Sequence, residues 1–216
     1  MRGILFTDIH TGNDWNIVLT SKEISRAEPK ENYVEVDGAD GTLDYTEAFG
    51  DVRYKNRSLS FSFSLSDGRY LDREELIAEI VQKLHGRRHQ IIIDDDPMHY
   101  WDGRCKVENI SNGVAYGTLR VEVTADPWYY AVNQTTITLP LQTYNDHRIY
   151  LHNFGRKICI PSVTVSGPTK IKHSSGTYNL KAGFYTLPSV MLYPGTTELV
   201  ITTDSAVRFE YREAIL

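Results

Sequence analysis

The sequence predicts a mainly β chain of two domains, with one α-helix in the first. Three observations predict it. Residues 57–66 alternate without a break between apolar side chains and serines. Only one segment carries helical periodicity. From about residue 135 onward a turn signal recurs roughly every ten residues, the spacing of an antiparallel sandwich.

The alternating segment comes first. Leu59, Phe61, Phe63 and Leu65 fall on one face, and Ser58, Ser60, Ser62, Ser64 and Ser66 on the other. A strand puts successive side chains on opposite faces, so this one buries a full row of large side chains. Serine is a weak strand former, and a solvated face more often carries Thr, Lys or Glu. The serine face reads either as ordinary exposed surface or as a low surface that lets another layer or subunit approach closely.

The helix follows. Asp72 is placed to cap it, and Glu75 three residues later completes a capping box. Leu76, Ile77, Ile80, Val81 and Leu84 form one apolar stripe, and Gly86 is a natural stop. His89–Ile93 reads as the next strand. Cys105–Asn109 and Leu119–Val123 read as a hairpin around Asn112-Gly113. Side-chain parity favours pairing Val107 with Leu119, which requires a three-residue loop or a bulge, with Gly117 as its place.

After Trp128-Tyr129-Tyr130 the character changes. No tryptophan occurs in residues 134–216, and turn signals stand at Asn153-Phe154-Gly155, Ser166-Gly167-Pro168, Ser174-Ser175-Gly176, Lys181-Ala182-Gly183 and Tyr193-Pro194-Gly195. Leu199, Ile201, Val207, Phe209 and Tyr211 are expected inward. The expected domains are 1–133 and 134–216.

Composition sets limits on function. The 216 residues are 41% hydrophobic and 24% charged, ordinary for a globular chain. No run approaches the ~20 apolar residues of a membrane helix, and the start is too briefly apolar for a secretory signal. Two cysteines make no disulfide framework, which suits folding in a reducing cytoplasm. Residues 1–133 carry 15 Lys and Arg against 23 Asp and Glu, or -8; residues 134–216 carry 8 against 5, or +3. Neither part has the dense basic surface of a nucleic-acid binder. Between Glu31 and Asp51 stand seven carboxylates (Glu31, Glu35, Asp37, Asp40, Asp44, Glu47 and Asp51) and no Lys or Arg. That is either a solvated loop or an anionic surface used in assembly or in repelling an anion.

A search for chemistry finds little. Asp8-Ile9-His10 resembles the first metal-binding element of metallophosphoesterases, but the further acid and Asn-His elements that two metal ions need are missing. Asp94-Asp95-Asp96-Pro97 reads as a strand-ending turn, because three adjacent acids point in different directions. The seven histidines show no zinc-helix spacing, and no G-x-S-x-G, phosphate loop or dinucleotide motif occurs. No catalytic, metal-binding or cofactor-binding residue is assigned. Tyr is frequent, 14 against 7 Phe, with local clusters at His99-Tyr100-Trp101 and Trp128-Tyr129-Tyr130. These suit core edges, subunit contacts or a sugar-stacking platform.

The order of these features resembles the distal tail protein (Dit) family of siphovirus-type phages. The carrying residues are Val36-Asp37-Gly38-Ala39-Asp40-Gly41-Thr42-Leu43-Asp44, the Arg57–Leu65 strand, and the helix ending Leu84-His85-Gly86. Ile91-Ile92-Ile93-Asp94-Asp95-Asp96-Pro97, Tyr100-Trp101-Asp102-Gly103-Arg104, Ala125-Asp126-Pro127-Trp128-Tyr129 and the closing Phe209-Glu210-Tyr211-Arg212-Glu213 follow in the same order. It looks like a short member, without inserted carbohydrate-binding modules. The resemblance implies a tail-tube-like first domain that joins six copies into a ring, and a galectin-like β-sandwich as the second. It implies a structural role, with no enzyme activity and no cofactor. The ring would be the tail-tip hub, joining the tail tube to the tail-associated protein and carrying receptor-binding proteins. It would be made and assembled in the bacterial cytoplasm.

DNA would cross the ring's channel without specific binding, and an acidic lining meets that need. Ring closure requires head-to-tail contacts, for which Asp37, Asp40, Asp44 and Glu47 and the serine face of Ser58, Ser60, Ser62 and Ser64 are the candidates. Two rival classes stand beside this reading. One is a carbohydrate-binding sandwich acting in host-surface adhesion through tyrosines between Tyr144 and Tyr211. The other is a hydrolase using Asp8 and His10. The fragment His152-Asn153-Phe154-Gly155-Arg156 matches only part of the galectin sugar motif.

Overall fold

The computed structural model describes residues 2–48, 50–65, 69–113 and 115–216, with Asn109 described by its backbone alone. The expected Ser66 lies outside the described residues. The chain divides into two compact units, residues 1–129 and 130–216.

The first unit holds β1 (Ile4–Phe6), β2 (Ile9–His10), β3 (Val18–Ile24), β4 (Tyr33–Glu35), β5 (Thr42–Asp44), β6 (Arg57–Leu65), α1 (Tyr70–Leu84), β7 (Arg88–Ile93), β8 (Asp96–Asn112) and β9 (Gly117–Ala125). The short β10 (Tyr129–Ala131) straddles the division. The main sheet runs in the order β2-β1-β7-β8-β9-β6-β3. β4 and β5 form a separate two-stranded sheet.

Alternation builds the core. Leu59, Phe61, Phe63 and Leu65 of β6 are buried, as are Leu119, Val121 and Val123 of β9, which pair directly beside them. Cys105 and Val107 of β8 and Ile91 and Ile93 of β7 continue the same inner face. Helix α1 lays Ile77, Ile80 and Leu84 on this core. The helix starts three residues earlier than Asp72-as-cap implies. Arg69 is the N-cap and Asp72 sits at N3, where its carboxylate accepts the Arg69 backbone N–H at 2.9 Å. The far end is as expected: Gly86 follows with φ +74°, which glycine adopts without strain.

The β8–β9 register also differs from the expectation. Val107 pairs with Val121, not Leu119, and the bulge lies between Glu108 and Ser111, not at Gly117. The reason is a longer loop: pairing ends at Asn112–Gly117, leaving four residues between the strands. Leu119 and Val121 share a face, so parity alone could not choose between them.

The second unit holds β11 (Thr135–Leu139), β12 (Tyr144–Asn153), β13 (Ser162–Val165), β14 (Thr169–His173), β15 (Gly176–Leu180), β16 (Gly183–Thr186), β17 (Gly195–Thr203), β18 (Val207–Tyr211) and β19 (Ala214–Ile215). Two four-stranded sheets, β11-β18-β13-β16 and β12-β17-β14-β15, make a β-sandwich. Val163, Val165, Val207, Phe209 and Tyr211 from one sheet and Ile149, Leu151, Ile171, Leu199 and Ile201 from the other form its core. The five inward residues expected in the last two long strands are all buried. No helix is long and apolar enough to cross a membrane among the described residues.

Candidate functional site

Two surfaces in the first unit carry the residues singled out from the sequence. β6 lies inside the sheet between β3 and β9, so its serines face outward rather than along an edge. Ser58 is exposed, and Ser60, Ser62 and Ser64 are half-buried. Register sets their neighbours. Ser60 lies between Glu23 and Glu122, Ser62 between Ser21 and Arg120, and Ser64 between Val18 and Thr118. On β8, Lys106 is opposite Glu122 and Glu108 opposite Arg120. A shallow hydroxyl strip is thus bordered by a mixed charged ladder.

That ladder holds one unusual carboxyl pair. The Lys106 ammonium, 2.8 Å from Glu108, holds the Glu108 carboxyl below the ordinary range. Glu108 in turn hydrogen-bonds Glu122 and raises the Glu122 carboxyl. Two carboxyls so placed share a proton more readily than two separate ones.

The acidic segment forms an arm. Its stem is fixed by Lys30 N–H to Arg53 C=O at 2.7 Å and Lys55 N–H to Glu28 C=O at 2.8 Å. Asp37 and Asp40 lie in the turn between β4 and β5, where Gly38 and Gly41 take φ of +82° and +77°. Asp44 ends β5. Its carboxylate is held low by the Thr46 side chain and by the Thr46 backbone N–H, which it accepts at 2.8 Å. Asp37, Asp40, Asp44 and Glu47 are all exposed. These acids and the β6 serines therefore stand on different sheets.

The arm has a second character that charge counting hides. Val34 pairs with Leu43, and Tyr45 donates its N–H to Asn32 C=O. Alternation then puts Val34, Val36, Leu43 and Tyr45 on one side, and Tyr33, Glu35, Thr42 and Asp44 on the other. The four apolar-side residues are 43–50% exposed. The signal was present in the alternation of residues 32–36 and 43–45, interrupted by the turn.

The remaining candidates separate rather than converge. Asp94, Asp95 and Asp96 each meet a different basic side chain. His10 Nε2 is 3.1 Å from Asp94, Arg2 and Lys22 both reach Asp95, and His99 Nδ1 is 3.1 Å from Asp96. Asp8 is exposed, and no three His, Cys, Asp or Glu side chains gather as a metal site would require among the described residues.

Trp101 stacks on Tyr129 at 3.8 Å, and both are core residues. Burial, followed by a hydrogen bond with Asp96, pushes the Tyr129 phenol up. In the second unit, buried Asn153 ties its own loop together, donating to Lys157 and Leu192 carbonyls and accepting Gly155 N–H. Buried Tyr211 donates its hydroxyl to His152 C=O at 2.6 Å. A shallow cleft of about 330 Å³ opens beside Tyr144, Asn145, Lys170, Asn179 and Asp204. Its aromatic wall, Tyr144, belongs to the sandwich core.

Both thiols are buried, and burial pushes Cys105 up to about 12 and Cys159 up to about 11. A raised thiol pKa keeps the neutral, unreactive form at ordinary pH. Native protein at pH 8 should therefore leave Ellman's reagent unreacted on the minute scale, and denatured protein should release two equivalents. Fast reaction of either thiol in the native state would contradict this burial.

No protein-family model matches the sequence, and no curated protein matches it. Among solved structures the chain is similar to the phage SPP1 Dit protein (gp 19.1), described as a paradigm of the hub adsorption apparatus in phages that infect Gram-positive bacteria. The two share 15% sequence identity and a TM-score of 0.73, and the match covers 100% of each chain. The fold is that of a phage distal tail protein. The likeness spans both units of this chain.

Proposed function

We propose that this chain is a structural component of a phage or prophage tail tip. Six copies close into a ring, the hub that joins the tail tube to the tail-associated protein and to receptor-binding proteins. DNA crosses the central channel without specific binding. The chain is made and assembled in the bacterial cytoplasm, performs no chemistry and needs no cofactor.

One observation carries this reading: the full-length likeness, in both directions, to a protein of a phage adsorption hub. The surfaces fit it. Head-to-tail ring closure needs two different contact patches on one chain. The hydroxyl strip of Ser58, Ser60, Ser62 and Ser64 and the arm bearing Asp37, Asp40, Asp44 and Glu47 supply two. The net charge of -5 per chain keeps DNA from adhering, because each cation–phosphate contact adds salt-dependent affinity.

The reading is tested on particles. Gold-labelled antibodies against this chain should mark the free end of the tail and leave shaft and capsid bare; label along the shaft overturns it. The contact claim has its own test. A triple Asp37→Lys, Asp40→Lys, Asp44→Lys variant should shift the ring roughly tenfold or more toward monomer at low salt, with a smaller shift at high salt. An unchanged mass distribution would remove the arm's acids from the contact.

A further inference from the structure

The stem of the arm carries the opposite charge from the arm itself. Residues 26–30 and 53–57 hold Arg26, Lys30, Arg53, Lys55 and Arg57 against one acid, Glu28. The two segments run antiparallel. Ser25 N–H donates to Ser58 C=O at 3.0 Å, and Pro29 bridges Tyr54. Both pairs keep one register, so Arg26 stands across from Arg57 and Lys30 from Arg53. Like charges directly opposite each other are destabilising, and an anion between them removes the repulsion. Of these five cations only Lys55 has an ion pair among the described residues, to Glu28 at 3.4 Å.

Arg57 separates this patch from an ordinary solvated charge run. It takes the inner-face position next after Leu59 on β6 and pairs with Ala125 on β9. Its Nε is buried and has no hydrogen-bond partner among the described residues. Burial pushes the Arg57 guanidinium down, and no carboxylate acts against that. The nearby acids are engaged elsewhere: Glu28 by Lys55, and Asp126, next to Ala125, by Arg88 at 2.8 Å. The other buried side-chain nitrogen without a partner is also a donor. It is Nε1 of Trp101, on the same inner face and two residues from Gly103, which pairs with Ala125. This end of the inner face is short of acceptors, and a buried charged donor without one is costly.

We propose that Arg57 and Arg26 bind one small oxyanion at the base of the arm. A guanidinium presents its donors in a planar fork that matches the oxygens of a carboxylate or a phosphate, so either group fits. Arg57 is only half-buried and Arg26 is exposed, so an ion reaches both from solvent. A long polyanion such as DNA does not fit, because the adjoining arm from Glu31 to Asp51 has seven carboxylates and no cation and repels it. The bound group supplies the missing acceptor and neutralises the stem. The site lies within the first unit and does not depend on the ring.

The test is thermal unfolding of the full chain followed by tryptophan fluorescence, which reports the first unit because Trp15, Trp101 and Trp128 all lie there. Inorganic phosphate and, separately, acetate are compared with chloride at equal ionic strength, so that general screening cancels. Tens of millimolar of the fitting anion should raise the midpoint by about 3 °C or more. A rise in phosphate alone identifies a phosphate ligand, a rise in acetate identifies a carboxylate, and no rise in either overturns the site. Arg57→Met keeps the aliphatic packing and removes the charge. It should melt no lower than the parent in chloride and lose the response to the anion. Arg26→Ala, at an exposed position, should raise the anion concentration needed by roughly threefold or more. Lys181→Ala, which removes an exposed cation of the second unit, should leave it unchanged. A response that survives in Arg57→Met, or that Lys181→Ala weakens as much as Arg26→Ala does, would overturn the assignment.

Discussion

Phe61→Ala should destabilise the first unit by about 3–5 kcal/mol, the range for deleting a fully buried phenylalanine. Phe61 is 0% exposed at the centre of β6, flanked by Leu59 and Phe63 on its own strand and paired with Val121 on β9. It also meets Phe6 edge-on, with ring centroids 6.4 Å apart and planes at 82°, a geometry that adds to simple burial. Strands on both sides of β6 hold the backbone, so the cavity cannot readily collapse. Native-state hydrogen exchange is the suitable measurement. Amides of β6, β8 and β9 should exchange faster by two orders of magnitude or more, and those of β14 and β17 should hold. Equal acceleration in both units would contradict the separateness of the two cores.

Arg73→Ala should cost about 3 kcal/mol, from two hydrogen bonds made by a charged donor. Arg73 is 2% exposed on α1 and fastens the helix to the β8–β9 tip through Asn112 and Gly113. Alanine is the better helix former, so a loss of stability can come only from the severed bonds and the emptied space. Arg73→Met keeps most of the volume and should recover only the packing part. Urea denaturation of both variants separates the contributions; stability equal to the parent in Arg73→Ala would mean the tip is held by something else.

Much of the fold was legible because its signals are local. The β6 alternation fixes an inner face whatever strand lies beside it, and the stripe from Leu76 to Leu84 fixes the helix face. The start of the helix was misplaced because an acid at N3 and an acid at N-cap look alike; both bond orphan N–H groups of the first turn. Pairing was less legible. Val107 could meet Leu119 or Val121 with the same parity, and only the loop length decides. The Asp94-Asp95-Asp96 turn could be read from its own residues, but not the partners, since His10, Lys22 and Arg2 arrive from the other end of the unit. In the arm, the acids dominated the reading. Val34, Val36, Leu43 and Tyr45 form an apolar side only once β4 is paired with β5.

Sedimentation velocity on the purified chain, from micromolar to near-millimolar concentration, tests the central claim most directly. A subunit that works as one-sixth of a ring should populate a species near six times 24.7 kDa, with no stable trimer or dimer beside it. A single 24.7 kDa boundary at every concentration would contradict the account.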